Sequence, residues 1–186
     1  MSSLGSTSVL SDQAEAAEET KRVNRILGAD KVIFAGQNLE LIFEDSSPES
    51  LVPQPEDGTV LLKTSDRRRA RELVRRWFLK ESSGYVVRKV KEFAPVMGVK
   101  PARVDVREMR SWGYCTRTGR VSFSWQLIAL PEKLREYVVL HELTHLKEFN
   151  HGRAFKANLG SVCPDFRERE RDLYRYEPYD HLAKPF

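Results

Sequence analysis

Three of the chain's four histidines fall in one run of eleven residues, His141-Glu142-Leu143-Thr144-His145-Leu146-Lys147-Glu148-Phe149-Asn150-His151. This run constrains the fold more than any other feature. Side chains four apart come close together on one face of a helix, so His141 and His145 reach a common point if the residues around them are helical. Leu134, Val138, His141 and His145 follow 4-3-4 spacing, and Tyr137-Val138-Val139-Leu140 is apolar all round, which predicts a buried helix. Pro131 suits its first turn. Buried imidazoles beside a buried glutamate need partners, and a metal ion supplies them. His151, six residues after His145, leaves room for the helix to end and the chain to turn back with a third nitrogen. Three protein ligands leave one tetrahedral position open, the pattern of a catalytic rather than a structural Zn2+ site, with one ion per chain. Glu142 is then placed to deprotonate a metal-held water without being a ligand. The competing reading, a surface helix with scattered imidazoles, conflicts with the apolar run before His141.

The rest of the composition bounds the setting. A chain of 186 residues is long enough for one domain with a sizeable core. We expect a polar tail over 1–25, a single domain over 26–178 and a short tail over 179–186. No apolar stretch approaches the roughly 20 residues that span a bilayer. No Lys or Arg precedes Lys21, and no apolar block of about 7–15 residues stands near the start. Cys115 and Cys163 suit a reducing compartment, so a cytoplasmic protein is expected. Residues 1–20 hold Asp12, Glu15, Glu18 and Glu19 and no basic residue, so the other 166 carry the net surplus of +8 left by 31 basic and 23 acidic side chains. That surplus favours acidic or polyanionic partners, although it is also ordinary for a soluble domain.

Read in order, the tail carries at most a helical turn over 13–25. Short β-like runs follow at 31–34 and 39–43, joined by a hairpin turn at Gly36-Gln37-Asn38. Residues 45–58, with three prolines and many acids, read as a loop, and 59–63 as a further strand. Ala70, Leu73, Val74, Trp77 and Phe78 mark one face of a helix. Its other face holds Arg67, Arg68, Arg69, Arg71, Arg75 and Arg76, most simply a solvated face, with nucleic-acid binding as the minority reading. Ser82-Ser83-Gly84 is expected to break this helix. Residues 103–107 and 121–125 read as paired strands, and helices follow at about 152–159, stopping at Gly160, and after Pro164-Asp165. His181 lies in a polar tail and reads as a non-ligand.

With this order in place, the chain resembles the YgjP-like family of predicted zinc metallopeptidases, relatives of the SprT-like and WLM zincins. The likeness spans roughly 30–175. Its pieces are Trp112-Gly113-Tyr114-Cys115, Val121-Ser122-Phe123-Ser124-Trp125, Pro131 ahead of Tyr137–Leu143, His151 with Phe155, and Pro164-Asp165-Phe166. The family's S-R-W-G-S-C reads here Arg110-Ser111-Trp112-Gly113-Tyr114-Cys115, and the usual Arg after the strand Trp is Gln126.

The resemblance implies an α+β, zincin-like minimal domain, a small twisted antiparallel sheet packed on the metal helix, and hydrolysis of a peptide or protein. It also implies that 121–125 is an exposed edge beside the metal on which an extended peptide can add as a strand. Trp112, Tyr114, Ser122, Phe123 and Ser124 are therefore the candidate substrate contacts. From the residues alone the reading reaches only a metal-activated water. Hydrolysis of a phosphoanhydride or phosphoester, or a polyanion-binding protein with a structural metal, stays open. A strand at 121–125 paired on both sides, or covered by the 45–58 loop, would remove the extended-peptide mode and leave small-molecule or phosphate-ester hydrolysis as the better reading. Tyr114, Arg117, Arg153 and Tyr174 are each candidates to stabilise an oxyanion, and Cys115 reads as a packing thiol. The sequence leaves the oligomeric state open.

Overall fold

The computed structural model describes residues 27–28, 31–64 and 66–176, without the side chains of 27, 28, 67 and 68. The expected tails, the turn over 13–25 and His181 lie outside the described residues, as does the whole acidic segment 1–20. The architecture is α+β, as expected. Strands β1 (Leu27–Gly28), β2 (Lys31–Phe34), β3 (Gln37–Glu44), β4 (Ser50–Gln54) and β5 (Thr59–Lys63) form one sheet in the order β1-β2-β3-β5-β4. The long helix α1 (Arg67–Met97) follows, then β6 (Arg103–Arg107), β7 (Gly113–Cys115) and β8 (Arg120–Ser124) as a second sheet in the order β6-β8-β7. A 3-10 segment, Trp125–Ala129, leads into α2 (Glu132–Thr144), and α3 (Arg153–Val162) and α4 (Phe166–Arg175) close the described chain. Each sheet is mixed rather than wholly antiparallel, because β3 runs parallel to β5 and β6 parallel to β8.

The β2–β3 hairpin turns at Ala35-Gly36, both with positive φ (52° and 82°), the combination whose twist matches two antiparallel strands. Ala35 N–H donates to the Ile128 carbonyl (2.9 Å) and Gly36 N–H to that of Ala129 (2.8 Å). A Cβ on Gly36 would lie 2.7 Å from Pro131 Cγ. The hairpin tip therefore rests directly against the entrance of α2.

Three expectations fail for physical reasons. Residues 45–58 are not all loop: β4 pairs antiparallel with β5 at the sheet's margin, with Pro53 opposite Val60. A proline is tolerated there because an edge strand has one side free of ladder bonds. The helix is also not broken at 82–84. Ser82 is fully buried, and its Oγ donates to the Trp125 carbonyl (2.7 Å) and accepts from Ile128 N–H (3.2 Å). Tertiary bonds and a continuous buried face through Phe78, Tyr85, Val86 and Val90 outweigh the weak local preference of Ser and Gly. In the same way α3 continues through Gly160 to Val162.

The buried core joins these parts. Phe34 stacks on Trp77 with ring centres 4.5 Å apart, and Phe78 meets Trp125 at 6.0 Å. Glu136 on α2 receives Lys89 of α1 (2.7 Å) and Arg169 of α4 (3.5 Å). The metal helix is thus fixed along its solvent side as well as its apolar one. No helix among the described residues is long and apolar enough to cross a membrane.

Candidate metal centre and active-site cleft

Helix α2 carries ten buried residues in succession from Leu134, apart from Glu136. That burial sets the chemistry of its last turns. His141 (1% exposed) and His145 (9%) project from one face, as the i, i+4 spacing requires. The helix then stops. His145 caps it, and Lys147 N–H (3.0 Å) and Glu148 N–H (3.1 Å) both donate to the Thr144 carbonyl as the chain reverses. The reversal returns His151 to the same point. One ligand nitrogen from each of the three histidines lies within 4.8 Å of the others, and the Nε2 atoms of His141 and His151 are 3.1 Å apart. Phe155, buried on α3, floors all three rings with centres 4.7–4.9 Å away.

The donor set fits a divalent metal. Burial, reinforced by the neighbouring imidazoles, holds His141 well below the usual histidine range, and burial lowers His145 and His151 as well. All three are thus neutral near pH 7, the form that offers a lone pair. His145 Nδ1 bonds the Glu148 carbonyl (3.0 Å), which makes Nδ1 the protonated nitrogen and leaves Nε2 free to ligate. His141 Nδ1 faces the Tyr137 hydroxyl at 3.4 Å.

Glu142 lines the same cleft, a cavity of about 320 Å³ walled by Gly113, Tyr114, Cys115, Arg117, His145, Phe149 and His151. Burial pushes its carboxyl up to about 8. A cation at the adjacent centre would draw it back toward the ionised form. The opposite wall is β7, and contact is close enough to dictate a residue type. A Cβ at Gly113 would lie 2.6 Å from Glu142 Oε1 and would overlap its side-chain carbons, so only glycine admits the carboxylate here. Cys115 is buried beside it, its thiol pushed up to about 11 by burial and by the Glu142 charge, which suits a packing role.

The profile of the family described as YgjP-like, metallopeptidase domain, matches residues 6–176. The chain belongs to the YgjP-like family of metallopeptidase domains. Among solved structures it is similar to the metallopeptidase zymogen abylysin of Pyrococcus abyssi, with 21% identity and a TM-score of 0.45 over 50% of this chain and 94% of that one. It is also similar to the zymogen jannalysin of Methanocaldococcus jannaschii, with 20% identity and a TM-score of 0.44 over 49% and 95%. No curated protein matches the chain. A metallopeptidase implies a metal, and His141, His145 and His151 form a potential site for one.

The expected substrate contacts divide sharply. Tyr114 lines the cleft and is 55% exposed. Trp112 is buried in the wall behind it. Ser122, Phe123 and Ser124 do not reach the cleft, because β8 is the central strand, paired parallel with β6 and antiparallel with β7, and all three are buried. The expectation of a free edge at 121–125 is therefore corrected, and the extended-peptide mode expected on that strand is removed with it; the metallopeptidase assignment rests on the family match, and the edge next to β8 on this side is β7. Ser124 N–H donates to the Trp112 carbonyl and Thr116 N–H to that of Arg120. Strand alternation then turns the main-chain groups of Gly113 and Cys115 away from β8, to the free side of β7, and both residues line the cleft. Ser111 Oγ donates to the Gly113 carbonyl (2.9 Å).

Of the four oxyanion candidates, Arg117 is in the cleft wall, whereas Arg153 and Tyr174 are not. Gly113 and Phe149 are the residues that sequence reasoning passed over. A glycine between two bulky residues, two before a cysteine, was the available signal for the first. Three of the six arginines on this face of α1 have acidic neighbours: Arg69 faces Glu49, Arg75 faces Glu72 and Glu108, and Arg76 faces Glu72. This pairing favours the solvated-face reading over nucleic-acid binding.

Proposed function

We propose that this metallopeptidase is zinc-dependent, with His141, His145 and His151 holding the ion, Glu142 carrying the proton, and the free edge of β7 receiving an extended peptide. One observation carries the reading: three neutral imidazole nitrogens converge within 4.8 Å, and two of their residues, His145 and His151, line the same cleft as Glu142. An all-imidazole set with room for a further ligand suits zinc over the oxygen-seeking alkaline-earth ions. When bound there, zinc would lower the pKa of a water from about 15.7 to about 7 and polarise the scissile carbonyl.

The protein's own part is proton handling and positioning. Glu142 takes the proton of the attacking water on a carboxylate oxygen and returns it to the departing amine. Its burial favours the protonated form needed for that return. Gly113 leaves space for the carboxylate to stand against the strand. The outward groups of β7 offer antiparallel pairing to a substrate main chain, which gives affinity with little sequence choice, leaving selection to side-chain pockets. Two buried free thiols suit a cytoplasmic setting.

The deciding experiment is Glu142→Gln, nearly isosteric and silent toward the ligands. It should retain one zinc per chain while peptide turnover falls about 10²–10⁴-fold. A variant within a factor of two of wild type removes the assignment, and cleavage of nucleotides but not peptides by the wild type moves it to phosphoester hydrolysis.

A further inference from the structure

Beside the metal cleft lies a second cavity of about 390 Å³, and Arg117 and Phe149 line both. Three separate segments bring cations to it: Lys100 from the loop after α1, Arg117 from the turn after β7, and Lys147 from the reversal after α2. No carboxylate lines it, and among the described residues none of the three forms an ion pair within 4.0 Å. The contrast is with Arg69, Arg75 and Arg76 of α1, which face Glu49, Glu72 and Glu108. The turn that presents Arg117 is tied down: Arg120 N–H donates to Thr116 Oγ1 (3.0 Å), Gly119 N–H donates to the Thr116 carbonyl (3.0 Å), and the Thr116 and Thr118 hydroxyls bond at 2.9 Å. The Arg117 guanidinium sits over the Phe149 ring, 5.0 Å from its centre, on the ridge between the cavities. Like charges gathered from three segments repel one another, and an anion in the cavity relieves that repulsion.

We propose that this cavity is a specificity subsite for a carboxylate side chain of the substrate, on the amino side of the scissile bond. The inference rests on the peptidase reading above. Its polarity comes from the strand. β7 runs from Gly113, against Glu142, through Cys115 toward Arg117. A peptide paired antiparallel runs the other way, so the residues that reach Lys100, Arg117 and Lys147 precede those beside Glu142.

The test uses the zinc-loaded protein and four fluorogenic peptides of equal length. One is neutral and blocked at both ends, one has Glu on the amino side of the cleaved bond, one has Glu on the carboxy side, and one is neutral with a free terminal carboxylate; a fifth, with Lys on the amino side, is kept for the charge-reversed variant. The amino-side Glu peptide should show kcat/KM roughly two- to fivefold above the neutral one, a gain of the size exposed ion pairs allow, and the gain should shrink as salt rises. In the double variant Lys100→Glu/Lys147→Glu the preference should reverse toward a Lys peptide. Binding of the same peptides to the Glu142→Gln protein, read by fluorescence anisotropy, should give the same order without turnover. Equal cleavage of all four peptides, a preference that survives charge reversal, or a preference for the carboxy-side or free-terminus peptide overturns the subsite and leaves the peptidase reading standing. Acid-dependent, reversible-by-mutation binding without cleavage supports the subsite and sinks the peptidase reading. Neither cleavage nor acid-dependent binding removes both.

Discussion

The two sheets share a design, one parallel pair in an otherwise antiparallel set, yet they use their side chains in opposite ways. In the five-stranded sheet, burial alternates along the strands: Leu39 and Leu41 on β3, and Val60 and Leu62 on β5, point to the core while their neighbours face outward. Its contribution to the centre is indirect, through the hairpin tip at Gly36 that props Pro131. In the three-stranded sheet β8 is buried at every position but its first, and the chemistry lies at the adjoining edge, where β7 has a glycine against Glu142. One sheet braces the metal helix from outside the cleft; the other is a wall of the cleft. Both rely on a close glycine contact, so the two regions can be separated by experiment.

The largest effect should come from the cleft side. His151 is exposed and lies outside the regular helices, so His151→Ala should leave the melting temperature of the metal-free protein unchanged while zinc affinity falls on the order of 100-fold or more, beyond the losses seen for outer-shell partners. Chelator competition measures it. Full metal retention at chelator levels that spare the wild type would mean that another side chain completes the centre.

Next, Gly113→Ala should lower turnover by about 10–100-fold, because displacing a reacting group by about 1 Å can cost that much. The Cβ would meet Glu142 Cδ at 2.7 Å, and the carboxylate has to move. Zinc content should stay at one per chain. If Gly113→Ala works as well as wild type, the carboxylate does not need its observed position, and the division of labour between the sheets fails on this side.

The matching change in the other sheet, Gly36→Ala, should do the reverse. A residue at φ +82° with a Cβ 2.7 Å from Pro131 Cγ costs about 1–3 kcal/mol. Chemical denaturation should show that loss with kcat of the folded protein within a factor of about two. A large fall in kcat would mean that the hairpin tip controls the cleft as well as supporting it.

How much of this was readable beforehand follows the same division. The ligand face of α2 was legible because a helical period and three histidines coincide in one short run. The strands at 31–34 and 59–63 were legible from local residue types. What escaped depends on partners distant in sequence. Ser82-Ser83-Gly84 looks like a break until Trp125 and Ile128 supply bonds to Ser82. Pro53 looks like loop until the edge of the sheet is known. The alternation of Val121, Phe123 and Trp125 fits an edge and a centre equally well, and only the pairing of β8 with both β6 and β7 assigns the free edge to β7. Arg117 was visible as a cation near the site, but its company with Lys100 and Lys147 arises from three loops that meet only in the fold.

The smallest predicted effect concerns the bracing of α2 against α1. Lys89 is held above its ordinary value of 10.5, chiefly by its hydrogen bond to Glu136, with burial opposing and Glu92 assisting. A lysine whose folded pKa is raised contributes stability that is fully present below its unfolded value and fades as pH climbs through the folded one. The gap in unfolding free energy between wild type and Lys89→Met should therefore be constant from pH 7 to about 10 and close above about 10.5. Because the acidic partners are partly exposed, the gap should be modest, about 0.5–1 kcal/mol. Both proteins share every other titrating group, so the difference isolates this contact. A gap that persists unchanged at the alkaline end would assign the effect of Lys89 to its aliphatic stem, packed near Phe93, with the ammonium 5.3 Å from that ring's centre. In that case the metal helix is held on this side by packing, as it is on its buried face, and the ion pair with Glu136 only sets register.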